Sequence, residues 1–297
     1  MKKKLDLSII IVNYNSGNYL YHTVKSITDS PPLASFEIII VDNRSTDGSL
    51  TKVTEQFPEI KILRQDENWG FAKANNIGAR AALGDYLLIL NNDTEVPEGA
   101  VDSLRKGIIE NPGYGILSPV LYNEDGTPQL NYGNDPGIFS EFIAKYFLKL
   151  FFRLGTGIKR TGYEKDKDWV SGACFIISSE LYNELGGFDE AFFLYYEDAD
   201  LGRRVRERGY KNHITSVSGI THFLGKSTGP VCSDILPLVK RGHLHYYRKH
   251  NGRISFHLLK AYLTVRFTLK YWIAGLTGNG KNSERFRDTL AVIRDSK

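Results

Sequence analysis

The stretch Asp85-Tyr-Leu-Leu-Ile-Leu-Asn-Asn-Asp-Thr-Glu-Val-Pro97 decides how this chain is read. From Tyr86 to Leu90 it is continuously apolar behind a Gly84-Asp85 turn, which suits a strand buried on both faces. The run stops in Asn91-Asn92-Asp93-Thr94-Glu95. Pro97, pre-set for a first helical turn, is expected to open a helix. Polar side chains at the carboxyl end of a central parallel strand stand where open α/β sheets bind ligands, so Asp93 is a candidate to hold a divalent cation or a donor group. The alternative is an Asx-rich turn that caps a helix.

Working outward, two more strands end the same way. Leu7 to Val12 reads as a buried strand delivering Asn13-Tyr14-Asn15, followed by a helical pattern from Tyr19 to Thr28. Glu37 to Val41 delivers Asp42-Asn43-Arg44-Ser45-Thr46-Asp47-Gly48, with Asp47 an expected N-cap for a helix through Phe57. Lys61 to Arg64 makes a short strand, and Asn68-Trp69-Gly70-Phe71 opens an Ala-rich helix running to Leu83. Strands and helices alternating at these intervals mean βαβ units and a mostly parallel sheet. Three strand ends carrying Asn or Asp at one sheet edge suggest a nucleotide site. No GxGxxG follows the first strand, which argues against a dinucleotide site. Gly225-Lys226-Ser227-Thr228 lacks the earlier glycine of a P-loop, since Ile220 stands in that place.

Composition narrows the classes. With 297 residues, 41% hydrophobic and 24% charged, the chain is globular and long enough for a substantial core. A net charge of +4 is too small to imply a nucleic-acid partner, and the basic residues concentrate after Arg203. Cys174 and Cys232 form neither a disulfide framework nor a CxxC metal pattern, which points to a reducing compartment. The opening residues carry no signal-peptide core, and no uncharged apolar run reaches the ~18 residues of a spanning helix.

The ordered set of motifs resembles family 2 glycosyltransferases of the GT-A fold. It comprises Ile9-Ile-Ile-Val-Asn-Tyr-Asn15, Val41-Asp-Asn-Arg-Ser-Thr-Asp47, Asn68-Trp-Gly-Phe-Ala-Lys-Ala-Asn-Asn76 and Leu90-Asn-Asn-Asp93. Val170-Ser-Gly-Ala173, Gly186-Gly-Phe-Asp-Glu190 and Tyr195-Tyr-Glu-Asp-Ala-Asp-Leu201 continue it, so the resemblance spans roughly residues 5 to 250. The branch is similar to bacterial rhamnosyltransferases of cell-surface polysaccharide assembly.

The resemblance implies roles for particular residues. Asp42 would accept a hydrogen bond from the N3–H of a pyrimidine base, a sound pairing because a carboxylate only accepts. Asn13, Asn15, Asn68, Asn76, Asn91 and Asn92 would belong to the donor site, although capping and loop bonding also explain Asn68 and Asn76. Asp93 matches the last acid of the DxD motif, which binds Mg²⁺ or Mn²⁺ against the donor diphosphate. Asn91 stands where the first aspartate of that motif usually stands and adds no charge. His222 matches a histidine that supplies a further metal ligand in related enzymes, and an imidazole favours Mn²⁺. Gly172, Ala173 and Glu197 would lie on the acceptor side, with Asp198 as the general base of an inverting transfer.

Glu197 and Asp198 open a helix expected to run to about Arg208 with Gly209 as its stop. Successive helical residues point ~100° apart, so the two cannot both face one hydroxyl. Asp200 and Arg204, at i,i+4, are expected to pair on the helix surface, and Phe192 to Tyr196 to wall the site. The implied reaction moves L-rhamnose from dTDP-rhamnose onto a lipid-linked saccharide at the inner, cytoplasmic face of a bacterial membrane. A UDP-hexose donor stays open, because uracil and thymine offer Asp42 the same edge. So does a non-catalytic nucleotide-sugar scaffold, whereas a nucleotidyltransferase would need a Gly/Lys-rich loop that Asn13-Tyr14-Asn15-Ser16 does not supply.

Two segments look amphipathic. Ile138 to Arg153 carries a polar stripe of Glu141, Lys145, Lys149 and Arg153 among phenylalanines, as an interfacial membrane helix would, or a core or homodimer helix. Ile254 to Leu276 is the second, in a tail made basic by Arg241, Arg248, Lys249 and Arg253. The expected organisation is a GT-A catalytic domain over residues 1–230, with the amphipathic insert at about 134–165, and a basic helical region over 231–297.

Overall fold

The computed structural model describes residues 4–138, 140, 165–223 and 235–296. Its strands are β1 Leu5–Asn13, β2 Phe36–Asp42, β3 Lys61–Arg64, β4 Gly84–Asn91, β5 Thr94–Glu95, β6 Tyr114–Tyr122, β7 Tyr132–Gly133, β8 Lys165–Lys167, β9 Trp169–Val170, β10 Cys174–Ser178 and β11 Lys211–His222. The helices are α1 Tyr19–Asp29, α2 Thr51–Gln56, α3 Gly70–Ala81, α4 Ala100–Glu110, α5 Ser179–Glu184, α6 Glu197–Glu207, α7 Leu236–His250, α8 Gly252–Leu276 and α9 Gly280–Asp295.

β-Branched runs make the central strands, because branched side chains pack well on a pleated surface covered on both sides. Leu87 to Leu90 of β4 are each no more than 1% exposed, as a doubly covered strand requires. The main sheet runs β3-β2-β1-β4-β10-β6-β11-β5, with β8 against β11, while β7 and β9 form a separate pair. β3, β2, β1 and β4 are parallel, and β6 and β11 pair in parallel. β10 is antiparallel to both β4 and β6. Period-two alternation sends Leu7, Ile9 and Ile11 into the core beneath α1, α2 and α4. On the other face Ile39 and Val41 meet Ala74 of α3. Because β1 leads to β2 on one side and is joined by β4 on the other, the sheet has a switch point at the carboxyl ends of β1 and β4.

Two local expectations fail for a stated reason. Pro97 does not open a helix: its carbonyl closes a turn with Ala100 N (3.2 Å), and Gly99 at φ +72° is left-handed, so α4 starts only at Ala100. Asp47 does not cap α2, whose cap residue Leu50 makes no side-chain bond. Its carboxylate instead accepts from Ser49 N (3.0 Å) and Gly17 N (2.6 Å), tying the loop after β2 to the loop after β1.

The chain folds as two compact units, each assembled from separate segments of sequence. One runs through Met1–Gly133, Gly162–Glu190 and Asp198–Val231, the other through Asn134–Thr161, Ala191–Glu197 and Cys232–Lys297, so far as these are described. The first holds the sheet. In the second, α7, α8 and α9 pack on one another, and Phe192 is buried edge-on to His245 (4.6 Å between centroids). Phe192 therefore anchors this unit instead of walling a site as expected. No helix among the described residues is long and apolar enough to cross a membrane. The amphipathic reading of Ile138 to Arg153 falls almost wholly outside the described residues.

One close approach between backbones is at Gly84, paired with Leu5 at the start of β4. A Cβ there would lie 2.4 Å from Ser8 N and 2.5 Å from Leu7 C, so the backbone of β1 would have to move. Gly84→Ala should therefore destabilise the fold by at least about 1–3 kcal/mol, the usual cost of overpacking. A urea midpoint unchanged from the parent would contradict this packing.

Candidate active site

The site is built where β1, β2 and β4 end together. Asn13 closes β1 opposite Asp42 in the parallel register. Its amide nitrogen reaches Asp42 Oδ1 (2.9 Å), Ser49 Oγ (2.9 Å) and Ser45 Oγ (3.0 Å). Its amide oxygen accepts from Ser16 Oγ (2.6 Å) and Asn92 Nδ2 (3.3 Å). Asn13 thus joins three strand ends and holds Asp42 in place, rather than presenting a free amide. Asp42 is 3% exposed and also accepts from Ser45 N (3.2 Å). A carboxylate has about four lone-pair sites, so it retains capacity for a base N–H. Asn15, left-handed at φ +49°, takes Thr46 N on its side-chain oxygen (2.8 Å).

Asn43, which the motif contained but to which no role fell, ties the end of β2 to Gly70 O of α3 (3.0 Å). Asn68 makes a local bond to Gly70 N (2.9 Å). Asn76 departs from its expected place in the donor set. Its oxygen accepts from Tyr182 Oη (2.7 Å) and Phe188 N (2.9 Å), and its nitrogen donates to Phe188 O (2.8 Å) and Glu190 Oε1 (3.0 Å). All four valences of the amide are spent on Tyr182, Phe188 and Glu190, which leaves none for a ligand.

Asp93 and His222, far apart in sequence, meet because β11 pairs antiparallel with β5, aligning His222 with Thr94. A register shift between Thr215 and Gly219 lets β11 follow β6 up to that point. Gly219 permits it, since a Cβ there would lie 2.4 Å from the Tyr122 ring. His222 Nε2 is 3.2 Å from Asp93 Oδ1 and 3.2 Å from Asn91 Nδ2. Both Asp93 (1% exposed) and His222 (8%) are removed from solvent.

Gln129 fixes how the imidazole is presented. The Asp125-Gly126 turn, with Gly126 at φ +77°, folds the chain back so that Gln129 N bonds Leu121 O (2.7 Å). The Gln129 amide nitrogen is held by Tyr122 O (3.1 Å) and by His222 O. Its oxygen must then be the atom 3.0 Å from His222 Nδ1, so Nδ1–H donates to it and Nε2 is turned towards Asp93 and the Asn91 amide. Nothing in the sequence marked Gln129 as the partner of a histidine so much farther along.

An imidazole nitrogen and a carboxylate oxygen 3.2 Å apart fit two neighbouring ligands of one cation. That separation is close to the spacing of adjacent ligands in an octahedral shell with bonds of about 2.1 Å. Among the described residues no cluster of three or more His, Cys, Asp or Glu could hold a metal, so the rest of the shell would fall to substrate oxygens and water.

Asp198 lies in the first turn of α6. One carboxylate oxygen accepts from Ala199 N (2.8 Å). Burial pushes its pKa from the ordinary 3.8 up to about 6, against the opposing effect of backbone bonds from Ala199 and Gly172. Gly172 approaches so closely that a Cβ would lie 2.9 Å from the Phe71 ring, and the next residue, Ala173, accepts from Asn91 N through its carbonyl (2.9 Å). The Gly172-Ala173 backbone thereby links Asp198 to the Asn91–Asp93 end of β4. Glu197, at the helix start, is 5% exposed. Asp200 and Arg204 do pair, at 2.7 Å, but not on the surface as expected: Asp200 is fully buried, and Arg204 also donates to Leu185 O (2.9 Å). The pair docks α6 on the turn after α5.

The sheet, with its switch point at the carboxyl ends of β1 and β4, has the fold of GT-A glycosyltransferases. The family model "Glycosyl transferase family 2" matches residues 8–185, and the chain belongs to that family. It is 25% identical over 245 residues to the N-acetylglucosaminyl-diphospho-decaprenol L-rhamnosyltransferase of Mycobacterium tuberculosis, covering 75% of this chain and 78% of the relative. The low-salt glycan biosynthesis hexosyltransferase Agl10 of Haloferax volcanii is 29% identical over 208 residues, covering 68% and 62%. Solved structures share the fold. The mannosyltransferase PcManGT from Pyrobaculum calidifontis, in complex with GDP-Man and Mn²⁺, matches at TM-score 0.54 and 15% identity, covering 99% of this chain and 88% of that one. GalNAc-T7 with UDP, GalNAc and Mn²⁺ matches at 0.58 and 20%, and the match covers 84% of this chain and 51% of that one.

The raised pKa of Asp198 has a stability consequence. Its folded-state value of about 6 lies above the ordinary 3.8, so ionising it in the folded protein is unfavourable. The penalty is absent well below the lower value, grows between the two and is complete above the higher. Asp198→Asn should therefore melt higher than the parent at pH 7 to 8, with the difference shrinking towards pH ~4. Melting curves across that range check it; a gap independent of pH would show that burial does not perturb this carboxyl.

Proposed function

We propose that this enzyme transfers L-rhamnose from dTDP-rhamnose, with inversion, to a lipid-linked saccharide at the cytoplasmic face of the cell membrane, aided by Mg²⁺ or Mn²⁺. The observation that carries the catalytic part is the Asp93–His222 contact of 3.2 Å, with the imidazole turned towards the carboxylate by Gln129. The sugar and acceptor rest on the similarity to the mycobacterial N-acetylglucosaminyl-diphospho-decaprenol L-rhamnosyltransferase.

Asp42 accepts the base N3–H while Asn13 and Ser45 keep its oxygens aimed. Asp93 and His222 are the residues that would hold a divalent cation, which when bound would supply positive charge against the leaving diphosphate. Asp198, with a pKa of about 6, is ionised at neutral pH yet basic enough to take the acceptor hydroxyl proton. As that proton passes to Asp198, the hydroxyl oxygen forms the new bond to the anomeric carbon from the face opposite the nucleotide. The bond to the diphosphate breaks, and the nucleoside diphosphate departs with the electron pair. In-line attack inverts the anomeric configuration.

The direct test incubates the enzyme with dTDP-rhamnose or with UDP-hexoses, and with a diphospholipid bearing N-acetylglucosamine. A rhamnosylated product of inverted configuration is expected, and transfer from UDP-hexoses alone would replace the donor. Asp198→Asn should keep dTDP binding and lose about 10²–10⁴-fold in turnover. Retention of most of the rate would remove Asp198 from this role.

Metal presentation has its own readout. Gln129→Leu deprives Nδ1–H of its acceptor, so affinity for Mn²⁺ in the presence of dTDP should fall roughly 10–100-fold, as for other outer partners of ligating histidines. Asp93→Ala should lose binding altogether. The electron paramagnetic resonance of free Mn²⁺ reports both, and equal affinity in Gln129→Leu and parent would leave Gln129 a purely structural residue.

A further inference from the structure

The second compact unit carries an apolar surface that its own packing does not use. α8 spans Gly252–Leu276 and buries Phe256, Leu259, Leu263, Phe267 and Ala274. At 100° per residue these fall within an arc of roughly 80°. Ile254 (79% exposed), Leu258 (55%), Val265 (62%), Leu269 (59%), Trp272 (65%) and Leu276 (84%) recur along the helix as well. They fall within an arc of roughly 60° on the opposite side. A helix that is apolar on both faces is ordinarily enclosed on both. Here one face is packed and the other forms a stripe about 33 Å long, at 1.5 Å per residue. An exposed contiguous patch of this kind marks an interaction site.

Charge says what covers it. No Asp or Glu occurs from Ile235 to Ser283, whereas nine lysines and arginines do. Residues 235–296 hold twelve basic and three acidic side chains, a net +9 in a chain whose total is +4, which leaves the remainder at −5. On α8 itself, Arg266 is exposed about 60° beyond one edge of the stripe, and its long stem can carry charge to a headgroup layer while the apolar residues go deeper. A second copy meeting the stripe face to face would bring two +9 surfaces together. An anionic bilayer instead meets basic charge with phosphate and the stripe with acyl chain.

We propose that the outward face of α8 docks this enzyme on an anionic membrane, lying in the interface without crossing it. The proposal rests on the reading above only in that a lipid-linked acceptor obliges the enzyme to work at a bilayer.

The test uses the full chain and vesicles rich in phosphatidylglycerol, with phosphatidylcholine vesicles as the neutral arm. The parent should float with the anionic vesicles, less so at high salt and least with the neutral ones. Leu258→Glu with Leu269→Glu alters two exposed positions, so melting temperature and dTDP binding should hold while partitioning falls on the order of tenfold or more, the worth of one buried aliphatic side chain. Trp272 fluorescence gives a readout that needs no destabilising change. Its emission should shift to the blue on anionic vesicles, and Trp272→Phe should still float but lose the shift. A parent that stays unbound, a double variant that floats like the parent, or a concentration-dependent dimer abolished by the double variant would each overturn the proposal. Because dTDP binding is measured alongside, failure of docking is distinguishable from failure of the glycosyltransferase reading.

Discussion

The amide of Asn13 is the bond on which the site depends. A primary amide buried at the end of a central strand must satisfy two donors and an acceptor without water, or the strand end pays the desolvation cost. Here the partners are Asp42, the loop serines Ser45 and Ser49, Ser16 and Asn92. Satisfying one buried group therefore fixes the ends of β1, β2 and β4 relative to one another. A second tie, Thr23 Oγ1 to Thr94 O (2.8 Å) with Thr94 N returning to Thr23 Oγ1 (3.0 Å), locks the loop after β4 to α1. These bonds hold Asp42 at the end of β2 and tie the loop that carries Asp93 to α1.

Desolvation then sets the chemistry. Asp93 and His222 are buried side by side, where a charge beside a lone pair interacts far more strongly than in water. Asp198, packed under Gly172 N–H and Ala199 N–H, is pushed up to about 6 rather than down, because burial outweighs those two bonds. Two carboxylates in one sheet unit thus sit in different settings, Asp93 beside an imidazole and Asp198 under backbone N–H groups. Their environments, not their residue type, set them apart. The left-handed backbone of Tyr195 (φ +70°) and Tyr196 (φ +74°), just before α6, is unusual for aromatic residues. Tyr196 is held there by stacking on His243 at 4.9 Å, and Gly242 leaves room for the Tyr195 carbonyl. Strain of this kind persists where surrounding packing over-determines it.

Much of this was legible in sequence. Period-two and continuous apolar runs located β1 to β4 within a residue or two, because burial on both faces leaves no other pattern. The polar ends of those runs located Asn13, Asp42 and Asp93, since side chains that a buried strand cannot hold must collect at its carboxyl edge. The motif order fixed the family. Local signals failed where two uses of one residue compete. Asp47 could cap α2 or bind the neighbouring loop, and Pro97 could start a helix or close a turn before Gly99.

What only the tertiary structure decided is every relation between residues distant in sequence. The pairing of β11 with β5 put His222 on Asp93, and the return of the chain after β6 put Gln129 on His222. Asn76 looked like a donor ligand by its motif, but its four hydrogen bonds all go to residues of the later Tyr182–Glu190 stretch. Asp200 and Arg204 were a surface pair by spacing and a buried one in fact. Sequence alone determined which faces are apolar and which strand ends are polar, because those follow from periodicity along one element. It did not determine which polar groups would satisfy each other, because a buried donor takes whatever acceptor the packing of several elements brings within reach.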